Sequence, residues 1–205
     1  MHFILPYFII ILVIIQLYLK KSNKSQENTL KQFWEREQKA NATRKKDISN
    51  LHYIKWDDSL PTTESSSSLS DIVNNNTDAS AAYDTIMSLK DKQMINLSEY
   101  SNTELKLQYG VANLEVLTEY EDNYTLLIKN LSILGHILKE HDDITDATSY
   151  LEYGVRIGSD IRSSYADLKN IYSNLNDESK INKLKQYATL IKSVNKDLIV
   201  NMLDE

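Results

Sequence analysis

The chain has no cysteine and contains only four glycines and two prolines among its 205 residues. The absence of cysteine excludes disulfide scaffolds, cysteine-ligated zinc, iron–sulfur clusters and thiol catalysis. A β-sandwich or a glycine-rich nucleotide-binding loop needs glycine and proline at its turns, so their scarcity argues against both and favours helices. We therefore expect an all-α protein with one modest globular domain and attachments.

Charge of opposite sign dominates two parts of the chain. Residues 1–56 carry 10 basic and 4 acidic side chains, a net charge of +6, whereas residues 57–205 carry 13 basic and 25 acidic ones, a net charge of −12. Nucleic-acid binding depends on cations that contact phosphates. An acidic main domain is a poor candidate for such binding, and we expect no nucleic-acid partner.

Residues 3–19 form the longest apolar run, FILPYFIIILVIIQLYL. At about 1.5 Å per residue, a helix of this length spans roughly 25 Å, the short end of what a bilayer core requires. The alternative is a secretory signal peptide, which starts with basic residues and ends at a small-residue cleavage site. Here the run follows Met1-His2 and ends at Leu19-Lys20-Lys21. The pattern predicts an uncleaved transmembrane helix.

Lysines follow this run closely and none precedes it; the nearest are Lys20, Lys21, Lys24 and Lys31. Because translocation disfavours cationic flanks, we expect a single-pass protein of the cell membrane with the bulk of the chain in the cytoplasm.

Residues 20–56 form a basic juxtamembrane segment that also contains Leu30, Phe33 and Trp34. Two interpretations are open. One is a helix along the inner leaflet, with its aromatic side in the lipid interface and each cation contributing about 1 kcal/mol near anionic lipid. The other is a solvated helix.

Residues 57–78 include the Ser/Thr/Asn-rich run SLPTTESSSSLSDIVNNNTD. Such a composition offers too little apolar area to offset the entropy lost on ordering. We interpret this segment as a flexible linker.

Apolar residues return at helical spacing over residues 79–205, which we predict to be an α-helical domain. Asp78 is the predicted N-cap of its first helix. Ser101 and Glu104 fit a capping box, and Gly110 ends the short helix that follows. We expect a long helix, or two joined near Glu121, through the stripe Leu114, Leu117, Tyr120, Tyr124, Leu127, Leu131, Leu134 and Leu138.

From residue 128 the pattern is more specific. Leu131, Leu134, Gly135 and Leu138 are followed by Ala147, Leu151 and Gly154. This order resembles the tetratricopeptide repeat (TPR), a 34-residue helical hairpin with small residues where its two helices touch. The resemblance implies TPR-like antiparallel helical hairpins.

A second TPR-like unit begins near Arg162, but it departs from the pattern because Lys169 and Ile181 occupy small-residue positions. A final helix over residues 178–203 suits a cap on the array. Stacked repeats usually need about three units and only two are visible, so residues 79–125 are expected to supply the missing packing surface.

In the TPR family the ligand face is the concave side of the first helix of each hairpin. The resemblance places four residues of this chain there whose side chains can hold a carboxylate or a peptide backbone: Lys129, His136, Lys139 and Asn170. These are the candidate partner-binding residues. The Lys/Asn clamp that some family members use for C-terminal carboxylates is incomplete here.

The order of segments also resembles an uncharacterised family of bacterial, clostridial-type single-pass membrane proteins. The residues that carry this resemblance are FWEREQKANATRKKDISNLHYI at 33–54, Leu60-Pro61, and NTELKLQYGVANLEVLTEYEDNY at 102–124. It implies the architecture and no particular activity.

No motif for a metal, a cofactor or catalysis stands out. His136 and His141 are five residues apart and face different sides of a helix, and no glycine-rich phosphate loop is present. We expect no cofactor and no enzymatic activity. The leading hypothesis is a membrane-anchored adaptor or scaffold that binds a protein or peptide; the alternative is a structural or self-associating membrane protein without a peptide ligand.

Overall fold

The computed structural model describes residues 4–205, apart from the side chains of residues 4–15, 17, 19, 22, 23 and 25. Within this part of the chain every regular element is a helix and no strand is present, which confirms the all-α prediction. The α-helices are α1 (Ile4–Asn41), α2 (Ser67–Asn75), α3 (Thr77–Ser88), α4 (Asn102–Tyr109), α5 (Leu114–Glu140), α6 (Ile144–Arg156), α7 (Arg162–Asn174), α8 (Glu178–Thr189) and α9 (Lys196–Asp204).

The predicted transmembrane helix at residues 3–19 falls mainly on side chains outside the described residues. α1 is continuous from Ile4 to Asn41, so it extends well into the basic juxtamembrane segment. Among the described residues, no helix combines the length and the apolar character needed to cross a membrane.

The chain forms two compact units. The first contains Met1–Ile48 and Ser101–Leu114, and the second contains Ser49–Tyr100 and Glu115–Glu205.

In the first unit, α4 packs against the carboxyl-terminal part of α1. Lys106 of α4 donates to Glu37 of α1 at 3.1 Å. The predicted capping box is confirmed, because the Ser101 hydroxyl accepts from the Glu104 amide and the Glu104 carboxylate accepts from the Ser101 amide. Gly110 follows α4 with φ +88°, and a Cβ at this position would lie 2.3 Å from the Arg44 carbonyl oxygen. Only glycine suits this close backbone contact.

In the second unit, the segment interpreted as a flexible linker is partly helical, which corrects that interpretation. The Ser66 hydroxyl caps α2 by accepting from the Leu69 amide. Leu69 and Val73 are buried on one side of α2, and Leu60 before it is also buried. Apolar residues three and four positions apart therefore gain enough burial to order a segment whose overall composition is polar. α3 begins directly afterwards, with Asn76 rather than Asp78 as its N-cap.

Two buried clusters form the core of the second unit. The first joins α2, α3, α5 and α6, and the second joins α6, α7, α8 and α9. Several tyrosines of this unit are almost fully buried, among them Tyr124, Tyr153, Tyr165 and Tyr172. The hydroxyls of Tyr153 and Tyr165 donate to backbone carbonyls, so burial leaves neither group unsatisfied.

Helices α5 to α9 follow a 34-residue recurrence. The starts of α6 and α8 are 34 residues apart, and so are the starts of α7 and α9. The turns recur as well, since Asp142 and Asn176 adopt positive φ angles of 60° and 54°. Asp143 and Asp177, the residues that follow, are the N-caps of α6 and α8. Asp and Asn tolerate the left-handed conformation better than other non-glycine residues, which explains their place in these turns.

The prediction of a single helix over residues 178–203 is wrong, because a non-helical turn separates α8 from α9. The chain turns after Leu190 and enters α9. The N-cap of α9 is Asn195 and that of α7 is Ile161, so the two caps are 34 residues apart. In the recurrence, α9 therefore corresponds to the first helix of a third hairpin, as α5 and α7 correspond to the first helices of the two before it. Lys169 of α7 donates to the Met202 carbonyl near the end of α9 at 2.8 Å.

Candidate functional site

The candidate partner-binding residues lie on the first helices of the two hairpins. Lys129, Ser132, His136 and Lys139 are spaced by three or four residues on α5, so they share one side of that helix. On α7, Ser163, Asp167 and Asn170 share a side by the same rule. We call these seven residues the first-helix face.

Asp167 joins the two halves of the first-helix face. Its Oδ2 lies 2.8 Å from His136 Nδ1, and its Oδ1 accepts from Lys139 Nζ at 2.9 Å. Beside this contact, the hydroxyls of Ser132 and Ser163 are 3.1 Å apart. The structure therefore links α5 to α7 through polar side chains, two of which are candidate residues.

The contact with Asp167 changes the role of Lys139. The Lys139 side chain is only 17% exposed and also lies 3.4 Å from Glu140. The hydrogen bond from Lys139 to Asp167 raises the pKa of the lysine, although burial acts in the opposite direction. Because the ammonium is held by a carboxylate of the chain itself, Lys139 positions Asp167 and is poorly placed to bind a ligand carboxylate.

The other three candidate residues remain accessible. The His136 side chain is 53% exposed, so its second ring nitrogen is free of the Asp167 contact. Lys129 is exposed and forms no ion pair with a described residue. Asn170 is exposed as well, and its side-chain oxygen accepts from Asn174 at 3.4 Å. Lys129, His136 and Asn170 are thus the groups that a partner can reach on this face.

Asp167 is the residue of this candidate site that sequence reasoning missed. It lies four residues after Ser163 and three before Asn170, so helical spacing already placed it on the same side of α7. Its partners could not be found in this way, because His136 is 31 residues away on another helix.

Two neighbouring carboxylates lie at the start of α6: Asp143 is its N-cap, and Asp146 lies in its first turn. Asp143 accepts from the Asp146 amide at 3.3 Å. The Oδ2 atoms of both residues are buried and have no hydrogen-bond partner among the described residues. Burial raises the pKa of Asp146, and the neighbouring Asp143 adds to this rise, while the Ser66 hydroxyl opposes it. In the next hairpin, Asp177 corresponds to Asp143 and Lys180 corresponds to Asp146. The pair of carboxylates is therefore confined to the first hairpin.

The histidines considered as metal ligands do not converge. His136 contacts Asp167, and His141 is exposed beyond the end of α5. Over residues 4–205, with the side-chain gaps stated above, no group of three or more His, Asp or Glu side chains is arranged to hold a metal ion.

Comparisons with protein-family models, with curated proteins and with solved structures found no match to this chain.

Proposed function

We propose that this protein is a membrane-anchored, non-enzymatic adaptor or scaffold whose TPR-like helical hairpins bind a protein or peptide partner. The observation that carries the proposal is the 34-residue recurrence of helices and turns from α5 to α9. This period is that of the tetratricopeptide repeat, whose stacked hairpins serve as binding surfaces for other proteins.

The partner surface in this proposal is the exposed part of the first-helix face. Lys129, His136 and Asn170 present a cation, an imidazole nitrogen and an amide, which suit peptide carbonyls and carboxylates. Lys139 and Asp167 hold α5 and α7 in register behind them. The partner gains local concentration at the membrane because its adaptor is anchored there.

The anchor in this proposal is the apolar run at residues 3–19. Two features support it: α1 is continuous from Ile4 to Asn41 and includes most of this run, and lysines follow the run closely. By the positive-inside rule, the hairpins face the cytoplasm.

The test is a crosslinking pull-down of the full-length protein from native membranes, identified by mass spectrometry. We expect a partner that is lost when Lys129, His136 and Asn170 are replaced by alanine together. Lys92→Ala is the control, because Lys92 is exposed in the same unit and lies outside the first-helix face, so recovery of the partner is expected to be unchanged. Undiminished recovery with the triple variant, verified as folded by circular dichroism, contradicts this surface.

A structural or self-associating membrane protein is the second candidate function. Exposed apolar side chains near α9 favour it, since Leu190, Val194 and Leu198 are 70%, 95% and 59% exposed. Light scattering on the full-length chain in detergent separates the two functions. A monomer at micromolar concentration argues against self-association, whereas recovery of only the protein itself in the pull-down argues for it.

A further inference from the structure

One side of α1 exposes three large apolar side chains, which we call the α1 patch: Leu30, Phe33 and Trp34. They are 57%, 51% and 62% exposed, and the rings of Phe33 and Trp34 meet edge to face with their centroids 5.4 Å apart. Leu30 and Phe33 line a shallow groove along α1 together with Gln26 and Thr29. A contiguous exposed apolar surface rimmed by polar residues marks an interaction site.

The α1 patch belongs to a stripe that α4 covers at its other end. Phe33, Glu37 and Ala40 follow one another at intervals of four and three residues, so they share one side of α1. The Glu37 side chain is largely buried and accepts from Thr103 and Lys106 of α4, and Ala40 is fully buried. This side of α1 is therefore a helix-packing surface, and the α1 patch is its uncovered part.

The charged residues of this part of α1 lie away from the patch. Over residues 20–35 they are Lys20, Lys21, Lys24, Glu27, Lys31 and Glu35. At 3.6 residues per turn, each lies at least about 90° around the helix from the line midway between Leu30 and Phe33. Lys31 and Glu35 pair with each other at 3.8 Å on that other side. Like charges therefore do not face one another when two such patches meet.

The spacing of the α1 patch fits a parallel coiled coil. Leu30 and Phe33 take the a and d positions of a seven-residue repeat, in which Gln26 is the preceding d and Asn23 the preceding a. An asparagine at a single a position specifies the register and the number of helices in such coiled coils. In-register association of two α1 helices therefore places each patch against its counterpart.

The length and continuity of α1 carry the patch beyond lipid. In the proposed anchoring the apolar run ends at Leu19, and helical rise places Leu30 about 17 Å and Trp34 about 22 Å farther along the axis. The polar layer on each side of a bilayer core is only about 5–8 Å thick. α1 contains no glycine and its one proline is Pro6, so beyond the apolar run it lacks the residues that usually kink a helix. The lipid surface is therefore out of reach of the patch.

We propose that the α1 patch binds the same patch of a second copy of the chain, as a parallel pair of α1 helices in one membrane. Two copies anchored in the same orientation hold their patches at the same height, as an in-register pair requires. Three side chains form a small interface, so pairing depends on the local concentration that confinement to one membrane provides. The inference rests on the anchored arrangement in the proposed function and uses no residue of the first-helix face.

The test is cysteine crosslinking of the full-length chain in native membranes, which suits a chain without cysteine of its own. Leu30→Cys and Phe33→Cys place a thiol on the patch. Asn28→Cys and Gln32→Cys are the matched controls, because they place one at exposed, uncharged positions on other sides of α1. Under a mild oxidant, we expect at least about tenfold more disulfide-linked dimer from the patch variants, because distant cysteines cannot be bridged.

A second pair of variants tests the contact with the thiol held at one position. In the Leu30→Cys chain, Phe33→Glu brings like charges together and is expected to reduce the dimer at least about tenfold. Gln32→Glu in the same chain adds an equal charge on another side of α1 and is expected to leave the dimer unchanged. Circular dichroism of the purified variants verifies that each keeps its helical content.

The proposal is overturned by equal crosslinking at all four positions, by no crosslinking at Leu30→Cys and Phe33→Cys, or by equal losses with Phe33→Glu and Gln32→Glu. Crosslinking of the patch to a different protein overturns it too. Protection of the patch thiols from a water-soluble maleimide, without a dimer, overturns it and identifies lipid as the occupant.

Alkaline carbonate extraction of the same membranes tests the anchor separately. Release of the chain overturns the anchor and the pairing together. Retention of the chain without crosslinking overturns the pairing alone and leaves the proposed function in place.

Discussion

The hairpin at residues 128–161 and the hairpin at residues 162–195 have similar turn residues. They differ in the residues at the contact between their two helices. The first has Gly135, Ala147 and Gly154 where its helices meet, and the second has Lys169, Ile181 and Ala188 at the same positions of the recurrence. The turn residues are alike, with an Asp or Asn at positive φ before an Asp N-cap. The register of the recurrence is therefore set by the turns, and helix contacts can vary within it.

The difference is largest at Gly135 and Lys169. A Cβ at Gly135 would lie 2.5 Å from Cγ of Leu151, so α5 and α6 are in close contact there. Lys169, by contrast, extends its chain to the Met202 carbonyl of α9. A small residue in one hairpin brings two helices together, whereas a long residue in the other connects the hairpin to the helix that follows.

Among the variants that test this comparison, Gly135→Ala is expected to lower the free energy of unfolding the most. The added methyl group overlaps Leu151, and overpacking of this kind costs about 1–3 kcal/mol of unfolding free energy. Gly154→Ala is the matched control, because a Cβ there meets its nearest atom at an ordinary 3.7 Å and Ala188 occupies the equivalent position. The control is expected to be neutral or to stabilise by up to about 1 kcal/mol.

Urea unfolding of the full-length chain, followed by circular dichroism, measures both glycine variants. Equal unfolding free energies for Gly135→Ala and Gly154→Ala would show that close contact at residue 135 is unimportant.

Lys169→Met is expected to have an intermediate effect. It keeps an unbranched apolar stem but removes the hydrogen bond to Met202, which is worth about 1 kcal/mol at a partly exposed site. The loss is expected chiefly in α9, as faster amide hydrogen exchange over residues 196–204. Lys92→Met serves as the comparison, because Lys92 is exposed and lies outside α7 and α9. Unchanged exchange in α9 with Lys169→Met would argue against a role for this contact.

Asp146→Asn is expected to have the smallest effect and to appear as a change in pH dependence. Because burial and Asp143 raise the pKa of Asp146 in the folded protein, its contribution to stability is present at low pH and is lost as the pH rises through the folded pKa. The asparagine variant cannot lose a proton there. Its unfolding free energy should therefore fall less than that of the native chain between about pH 4 and about pH 7.

Urea unfolding at several pH values tests this expectation. Asp177→Asn is a suitable control, since Lys180 and not a carboxylate follows in the equivalent turn. Parallel pH profiles for the native chain and Asp146→Asn would contradict the assignment.

Local features of the sequence predicted much of the fold. The capping box at Ser101 and Glu104, the helix end at Gly110 and the long helix α5 all depend on residues within a few positions of one another. The same kind of signal was present at α2, where a serine precedes apolar residues at helical spacing, but the polar composition around it favoured a linker. Burial against α3 and α5 decided that segment, and composition does not report burial.

The candidate site was predictable only in part. The tetratricopeptide resemblance predicted Lys129, His136 and Lys139 for the ligand face, and these residues lie at helical spacing on α5. It did not indicate that Lys139 is held by Asp167, nor that Lys180 donates to Glu152, which lies 28 residues earlier on α6. These pairings depend on which helices pack together.

The sequence by itself determined the all-helical character of this protein, the division of its charge and the turns that recur every 34 residues, because each follows from composition or from neighbouring residues. Only the tertiary structure decided that α2 is ordered, that a turn interrupts the helix before α9, and that Asp167 contacts both His136 and Lys139. Those outcomes depend on burial and on side chains from separate helices, whose interaction energies exist only once the helices have packed.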